Sequence, residues 1–338
     1  MTNPAIDGVL MIGFGGPTPG CCQRYEPCPG REAACFVRAV VGERPGAQAR
    51  IDEVAAHYDV FGGYSPFNAL TLQQAESVSA ALQAKGHAVP VRVGMRFWPP
   101  YVDTVLADMA ELGCRHLLGV ILSPFQCAAS WEHYQQSVAD GVAALGERGP
   151  QITYLSPWHT QAGFVEAIGD GIRRAAASLG EARGGEAALV YTAHAIPQPM
   201  ADRAPYTRQF HDTAAAVTNR LGRRAHRIAY QSQVTGTPVP WLQPDVNDVI
   251  EQVHEDGFRD VVVAPIGFLC DHMEVLYDLD VQAKETAAAC GLGFVRASTV
   301  SNHPAFVAML SDLISAHLAQ NSPQGVISPS PRGGRSPG

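Results

Sequence analysis

The sequence predicts an α/β fold made of two similarly wound lobes, each with a parallel sheet covered by helices on both faces. Short β-branched apolar runs alternate with stretches of helical periodicity, which favours crossover connections between parallel strands. The alternation restarts near Gln151. The length of 338 residues also fits two lobes of roughly 150 residues each.

Eight apolar segments bounded by Gly, Pro or Ser have the length and composition of buried strands. They cover residues 9–14, 89–95, 117–122, 152–155, 188–192, 228–230, 261–266 and 294–297. Six stretches between and after these strands have helical periodicity, at residues 72–84, 101–112, 161–179, 206–221, 246–256 and 304–318. Because ligands of such sheets lie at the carboxyl ends of the strands, we expect the site residues in the loops that follow them.

From this pattern we divide the chain into an N-terminal lobe at residues 1–150, a C-terminal lobe at residues 151–320 and a tail at residues 321–338. The tail, NSPQGVISPSPRGGRSPG, is rich in Pro, Gly and Ser. We predict that it is disordered, because such a composition offers little apolar surface for a core.

The composition excludes several classes of partner. A formal net charge of -8 argues against nucleic-acid binding, which requires clustered Lys and Arg. The sequence contains no run of roughly 18 apolar residues that would predict a transmembrane helix, and MTNPAIDG at the start lacks the features of a signal peptide. We therefore expect a cytoplasmic protein whose eight cysteines are reduced thiols or metal ligands.

The glycine-rich stretch GFGGP at residues 13–17 superficially resembles a phosphate-binding loop. A dinucleotide fingerprint needs glycines that lead into a helix with free N–H groups, and Pro17 and Pro19 remove such donors. We therefore do not expect nucleotide binding, and a Rossmann dehydrogenase is a poor alternative.

Titratable residues follow two of the predicted strands. His194 in TAHAIP ends one of them, although a lone His is more often structural than catalytic. In PIGFLCDHMEVLYDLD, Glu274 and Asp278 are spaced i, i+4, so a helix entered near Asp271 places both carboxylates on one face. The stretch is otherwise largely apolar, which predicts half-buried acids that need a partner or a function.

With these residues the sequence resembles the ferrochelatases. The matching stretches are GFGGP, FGGYSPFN, GMRFWPP, TAHAIP, YQSQVTGTPVPWLQPDV and PIGFLCDHMEVLYDLD, in family order across nearly the whole chain. The resemblance implies two Rossmann-like lobes of the chelatase fold with a porphyrin cleft between them. It implies an enzyme that inserts ferrous iron into a porphyrin in heme biosynthesis.

The resemblance also implies roles for single residues. The active-site His of the family matches His194, the metal-site Glu matches Glu274, and Asp278 continues an acidic ridge. The next ridge position is Gln282, where some relatives have an acid, so an extended metal relay is in doubt here. The predicted porphyrin-binding residues are Phe14, Ser65, Arg96 and Tyr134. Phe14 stands where some relatives have a Tyr that ligates the product iron, so that ligation is not expected.

The chemistry of metal insertion explains this set of residue types. Two pyrrole protons must leave and a divalent metal must be delivered, so a base and a metal donor are both needed. His194 accepts protons near neutral pH without a permanent charge, and Glu274 and Asp278 supply oxygen ligands for iron. Aromatic residues at strand ends are candidates for the walls of the cleft, although such residues often belong to the core: Phe14, Tyr64, Phe97 and Trp98.

Two other functions remain open. One is a chelatase of the same fold that loads cobalt or nickel into a different tetrapyrrole, and the other is a non-catalytic tetrapyrrole binder or heme chaperone. The pairing of His194 with Glu274 argues against a mere binder. Protoporphyrin IX and coproporphyrin III are both possible substrates, and the stretch TGTPVPWLQPDV favours coproporphyrin III. We expect a monomer.

The stretch CCQRYEPCPGREAAC lies in residues 19–36 and looks like an insertion relative to the simplest ferrochelatases. It holds four of the eight cysteines, Cys21, Cys22, Cys28 and Cys35, in a turn-rich setting. Because some bacterial ferrochelatases hold a [2Fe–2S] cluster, which needs four ligands, we predict such a cluster here. Structural zinc is the alternative, unrelated thiols are the simplest reading, and Cys127 is a possible substitute ligand.

Overall fold

The computed structural model describes residues 5–25, 30–42, 46–234, 236 and 238–320. The predicted disorder of residues 321–338 lies outside the described residues. Eight strands form two four-stranded parallel sheets of order β2-β1-β3-β4 and β6-β5-β7-β8. The strands are β1 Gly8–Gly13, β2 Val91–Met95, β3 His116–Ile121, β4 Gln151–Tyr154, β5 Ala188–His194, β6 Arg227–Gln231, β7 Asp260–Ala264 and β8 Gly293–Arg296. All eight predicted strands and the similar winding of the two halves are confirmed.

Helices cover both faces of the sheets, as parallel crossovers require. They are α1 Glu32–Val41, α2 Ala47–Asp59, α3 Phe67–Ala84, α4 Val102–Glu111, α5 His133–Leu145, α6 Ala162–Ala177, α7 Glu181–Glu186, α8 Gln198–Ala201, α9 Tyr206–Arg220, α10 Val246–Glu255, α11 Met273–Tyr277, α12 Lys284–Ala289 and α13 Pro304–Gln320. Turns of π-helix precede α5 at Ala128–Glu132 and follow α11 at Asp278–Ala283. The six helices predicted from periodicity and the helix predicted near Asp271 are present, whereas α1, α2, α5, α7, α8 and α12 were not predicted.

The boundary between the lobes differs from the predicted division at residues 150 and 151. Strand β4 pairs with β3, with Leu118 opposite Thr153, so it belongs to the first sheet. It is the edge strand of that sheet and is only half-buried. The strand at which the alternation of strands and helices restarts in the sequence therefore completes the first lobe, which extends through Tyr154.

The last helix joins the two lobes. α13 packs against α6 of the second lobe and against α3 of the first. Lys85, directly after α3, forms an ion pair with Asp312 on α13, with an Nζ–Oδ1 distance of 2.6 Å. Nearer the middle of α3, the buried Gln74 donates from Nε2 to the carbonyl oxygen of Ser301 at 2.5 Å. These contacts set the relative position of the two sheets and of the loops at their carboxyl ends. Across the described part of the chain, no helix combines the length and the apolar character needed to cross a membrane.

Candidate active site

The loop after β7 is drawn against the end of β5. The N–H of Gly267 donates to the carbonyl oxygen of Thr192 at 3.1 Å. A Cβ at Gly267 would lie only 2.7 Å from the Cβ of Ala193, so a side chain at this position would push the two segments apart. This close approach brings the beginning of α11 next to His194, the last residue of β5.

His194 and Glu274 meet at this point. The Nε2 atom of His194 lies 3.4 Å from Oε1 of Glu274, and the two side chains keep 32% and 39% of their surface exposed. They are therefore held by the protein yet open to solvent. The other ring nitrogen of His194, Nδ1, makes a hydrogen bond with the carbonyl oxygen of Ala195, which orients the ring with Nε2 toward the carboxylate.

A second imidazole flanks the same carboxylate. Nε2 of His272 lies 3.2 Å from Oε2 of Glu274, so each carboxylate oxygen has one histidine partner. No role was predicted for His272 from the sequence. The sequence alone does not reveal this contact, because residues i and i+2 at the N-terminal end of a helix converge only when the first of them has extended backbone. His272 has φ -152° and ψ -177°.

The backbone of Glu274 is fixed by a buried amide. Gln231 at the end of β6 donates from Nε2 to the carbonyl oxygen of Glu274 at 2.6 Å. Its Oε1 accepts a hydrogen bond from Thr192 Oγ1 at 2.8 Å, and the side chain is almost fully buried. The adjacent strands β5 and β6 therefore both anchor α11, and the carboxylate is positioned by the sheet as well as by its own helix.

The charges of the pair stabilise one another. Burial by itself would lower the pKa of His194, but the charge of Glu274 and the hydrogen bond between them raise it to about 9. Burial would raise the pKa of Glu274, and the two histidines instead hold it well below its ordinary value. At neutral pH the resting pair is therefore an imidazolium and a carboxylate. This differs from the expectation that His194 carries no permanent charge, because that expectation considered the ring without its partner.

Asp278 has a different electrostatic environment from Glu274. It begins the π-helical turn after α11, and it accepts a hydrogen bond from Ser232 Oγ. Burial raises its pKa to about 7, assisted by the negative charge of Glu274 and opposed by the bond from Ser232. The prediction of a half-buried acid near Glu274 is in accord with this position. Gln282 lies exposed at the other end of the turn.

The first lobe contributes aromatic rings from the ends of β1 and β2. The ring centroids of Phe14 and Phe97 lie 4.7 Å apart, and those of Phe14 and Phe36 lie 6.0 Å apart. Both Phe14 and Phe97 are half-buried. Trp98, in contrast, is buried in the core and donates from Nε1 to Thr18 Oγ1 at 2.9 Å. Of the four residues proposed as walls of the cleft, Trp98 therefore belongs to the core. Tyr64 is exposed.

Two predicted porphyrin-binding residues, Ser65 and Tyr134, are enclosed by the first lobe. Ser65 is buried, and its N–H donates to the carbonyl oxygen of Pro17 at 2.9 Å. A Cβ at Gly16 would lie 2.8 Å from the Cβ of Ser65, so the GFGGP turn has glycine there for close packing. Tyr134 is buried, and burial raises its pKa although Arg96 lowers it.

Two tyrosines near the pair were missed by sequence reasoning. Tyr206 at the start of α9 donates from its hydroxyl to the carbonyl oxygen of His194 at 2.8 Å. Tyr58 on α2 is buried, and its pKa is raised by burial and then by the charge of Glu274. The sequence held no signal for either residue, because both are brought in by helices from elsewhere in the chain.

A family model described as Ferrochelatase matches residues 34–318. The chain belongs to the ferrochelatase family. Among its relatives in the family, the coproporphyrin III ferrochelatase of Mycolicibacterium smegmatis is 35% identical over 330 residues, which cover 97% of this chain and 94% of that protein. The ferrochelatase of Rhodopirellula baltica is 31% identical over 318 residues, covering 94% and 88%.

Solved structures show the same fold outside the ferrochelatase family. SirB from Bacillus subtilis with Fe3+ has a TM-score of 0.54 and 12% identity, and the match covers 93% of this chain and 96% of that one. The predicted family, the α/β chelatase fold and the assignment as an enzyme that inserts metal into a porphyrin are thus confirmed.

The cysteine-rich segment does not form a recognisable metal site in the part of the chain that the structure describes. Cys21 is exposed, and its Sγ accepts a hydrogen bond from the N–H of Gln23 at 3.3 Å. Cys22 and Cys35 are buried in one apolar cluster, whereas Cys127 belongs to another. No group of three or more potential ligands is found among the described residues. Cys28 lies outside the described residues.

Proposed function

We propose that this protein inserts ferrous iron into coproporphyrin III, and that His194, Glu274 and Asp278 carry the reaction. The observation that supports these roles is the contact of His194 Nε2 with Glu274 Oε1 at 3.4 Å, open to solvent where two strands end. The substrate follows from the relatives, since those from Mycolicibacterium smegmatis and Nocardia farcinica are both coproporphyrin III ferrochelatases.

Glu274 is proposed to receive the iron. Its carboxylate is ionised at neutral pH, because neighbouring histidines hold its pKa well below the ordinary value. An ionised carboxylate is a hard oxygen ligand that suits aqueous ferrous iron and releases it again. Each carboxylate oxygen faces one imidazole nitrogen, of His194 at 3.4 Å and of His272 at 3.2 Å, so both rings contact the group that is proposed to receive the iron.

His194 is proposed to accept the pyrrole protons. In the resting pair the charge of Glu274 keeps its imidazole protonated. A divalent cation bound by Glu274 offsets that negative charge, so the pKa of His194 falls and the ring becomes neutral. Because Nδ1 remains bonded to the carbonyl oxygen of Ala195, Nε2 is the nitrogen that then faces the substrate as a base.

Asp278 is proposed to take protons onward from His194. Its pKa of about 7 allows it to gain and lose a proton near neutral pH, and Ser232 holds one of its oxygens. Phe14, Ser65, Arg96 and Tyr134 are proposed to contact the macrocycle. The aromatic pair Phe14 and Phe97 supplies the apolar surface that a flat ring requires.

A steady-state assay under anaerobic conditions tests this function. We expect kcat/KM for ferrous iron to be higher with coproporphyrin III than with protoporphyrin IX. Parallel reactions with cobalt and nickel and a second tetrapyrrole class test the rival chelatase. Insertion of cobalt or nickel without iron insertion would contradict the proposal, and so would tight porphyrin binding without turnover of any metal.

The [2Fe–2S] cluster remains a separate proposal that rests on the cysteine content of residues 19–36. The described cysteines do not by themselves fit a formed four-ligand site, so we assign no step of the reaction to it. Anaerobically purified protein should be brown and contain equal amounts of iron and sulfide, and Cys35→Ser should lose both. Stoichiometric zinc in colourless protein would instead support structural zinc, and the absence of any metal would refute both.

The cytoplasmic location and the monomeric state also stay predictions.

A further inference from the structure

A cavity of about 510 Å³ lies beside the end of β2 and does not include the catalytic pair. Its walls come from Arg96 and Phe97 after β2, from the start of α4 and from α5. Arg24 and Tyr25 of the cysteine-rich segment close another side. The insertion therefore helps to build this cavity.

Of the two arginines that line the cavity, Arg24 is already paired with a carboxylate. Arg24 donates two hydrogen bonds to the carboxylate of Asp103, at 3.0 and 2.8 Å. Its guanidinium also lies 4.0 Å from the ring centroid of Tyr101. Because a paired carboxylate and an aromatic face occupy Arg24, it serves as a wall of the cavity and has little remaining attraction for another anion.

Arg96 differs in this respect. Its guanidinium lies 4.4 Å from the ring centroid of Phe97 and is half-buried. Within the described ranges, its guanidinium makes no hydrogen bond and no ion pair. Burial lowers its pKa, yet an arginine stays protonated at any physiological pH. A partly desolvated cation without an anion is unfavourable, and a bound carboxylate would supply its missing partner.

The position of Arg96 connects the cavity with the aromatic wall. The ring beneath its guanidinium, Phe97, also packs against Phe14 at 4.7 Å between centroids. On its other side Arg96 lies close enough to Tyr134 to affect the pKa of that residue, which also responds to Glu274. A carboxylate at the edge of a macrocycle on the aromatic wall would therefore be within reach of this guanidinium.

We infer that the cavity receives a propionate that coproporphyrin III has and protoporphyrin IX lacks, and that Arg96 is the residue that distinguishes the two substrates. The inference rests on the proposed function. Coproporphyrin III carries four propionates, whereas protoporphyrin IX replaces two of them with vinyl groups. A vinyl group in the cavity leaves the guanidinium unpaired, while a propionate accepts two charge-assisted hydrogen bonds from it. Asp140, the other carboxylate of the lining, is exposed and bonded to Gln136, so solvent screens its repulsion.

The experiment compares Arg96→Gln with wild type on both porphyrins. We expect kcat/KM for coproporphyrin III to fall by about ten- to a hundredfold, the value of a hydrogen bond to a charged group. For protoporphyrin IX we expect a change of less than about threefold, because that substrate has no carboxylate for the cavity. The dissociation constant of each metal-free porphyrin, measured by fluorescence quenching without iron, should show the same difference.

The control variant is Arg92→Gln, which removes an exposed arginine from β2, the strand that precedes Arg96. It should leave both porphyrins unaffected. Thermal unfolding of Arg96→Gln should show no loss of stability, since the change removes an unpaired, half-buried charge.

An equal loss of kcat/KM for both porphyrins would make Arg96 a general contact and overturn the inference. An unchanged kcat/KM for coproporphyrin III would overturn it as well. A wild type that inserts iron into neither porphyrin would refute the proposed function instead. In that case the dissociation constants of wild type and Arg96→Gln for metal-free coproporphyrin III still decide whether Arg96 binds a propionate.

Discussion

The two sheets have the same strand order, yet the carboxyl ends of their strands carry different chemistry. In the second lobe, β5 ends in His194, and the loop after β7 leads to Glu274 and Asp278. In the first lobe, β1 and β2 are followed by Phe14, and by Arg96 and Phe97. One fold thus presents titratable groups at one edge and an aromatic wall at the other.

This difference indicates a division of labour between the lobes. The second lobe holds the groups proposed to bind iron and accept protons, so changes there should lower kcat. The first lobe holds the surface proposed to contact the macrocycle, so changes there should raise KM for the porphyrin. The division fails if a substitution in one lobe produces the kinetic effect assigned to the other.

The largest effect is expected from His194→Ala. Without the imidazole the pyrrole protons lose their proposed acceptor, so kcat should fall by about 10² to 10⁴-fold. The dissociation constant for metal-free porphyrin should change little, because the first lobe is intact. Steady-state iron insertion and fluorescence titration measure the two quantities. The exposed His211→Ala serves as the control. Near-normal turnover in the His194 variant would remove the proposed base.

Glu274→Gln should have the next largest effect. The amide cannot carry the charge that attracts iron, so we expect a loss of about a hundredfold in kcat/KM for iron. The same change removes the anion that keeps His194 protonated. Binding of metal-free porphyrin should again be retained. Glu285→Gln, an exposed change on α12, is the matched control, and equal rates for both variants would place the iron elsewhere.

Much of this arrangement could be predicted from the sequence because it depends on buried strands. The segments that became β5 and β7 are continuous apolar runs, so the residues that follow them were expected at one edge of a sheet. The contact of His272 with Glu274 was not predictable, because it depends on the extended backbone of one residue before α11. The unpaired state of Arg96 was also hidden, since a missing partner is a property of the packed structure.

The cysteine-rich region shows what could not be predicted from the sequence. Its composition is unusual, yet composition does not determine whether thiols converge. Helices α1 and α2 were missed for a related reason, since α1 directly follows a segment rich in Pro and Gly, and α2 mixes alanines and charges without a clear apolar face. Only packing against Trp98 and Met273 reveals that both helices belong to one apolar cluster.

A change in the first lobe tests the other side of the comparison. Phe14→Ala removes the ring that packs against Phe97 at 4.7 Å between centroids. We expect KM for coproporphyrin III to rise about tenfold, the equivalent of one lost aromatic contact, with kcat nearly unchanged. Phe14→Leu, which keeps an apolar side chain, should have a smaller effect. A fall in kcat at unchanged KM in the Ala variant would break the division between the lobes.

The smallest expected effect concerns stability. The pKa of Asp278 is about 7 in the folded protein against an ordinary value of 3.8, so the folded state holds this proton more tightly than the unfolded chain. The stability that this group contributes is full below the ordinary value and is lost as the pH rises through about 7. Asn resembles the protonated form and has no proton to lose. Metal-free Asp278→Asn should therefore be more stable than wild type at about pH 8, by about 1 kcal/mol after allowance for contact with solvent. The difference should shrink toward about pH 5, because wild-type Asp278 is then largely protonated in the folded state.

Urea unfolding at the two pH values measures this difference in stability, with Asp108→Asn on the exposed face of α4 as the control. An advantage that stays constant with pH, or a variant that is less stable at about pH 8, would show that Asp278 keeps its charge in the folded protein, and the second lobe would then lack its proposed acceptor for the proton that leaves His194.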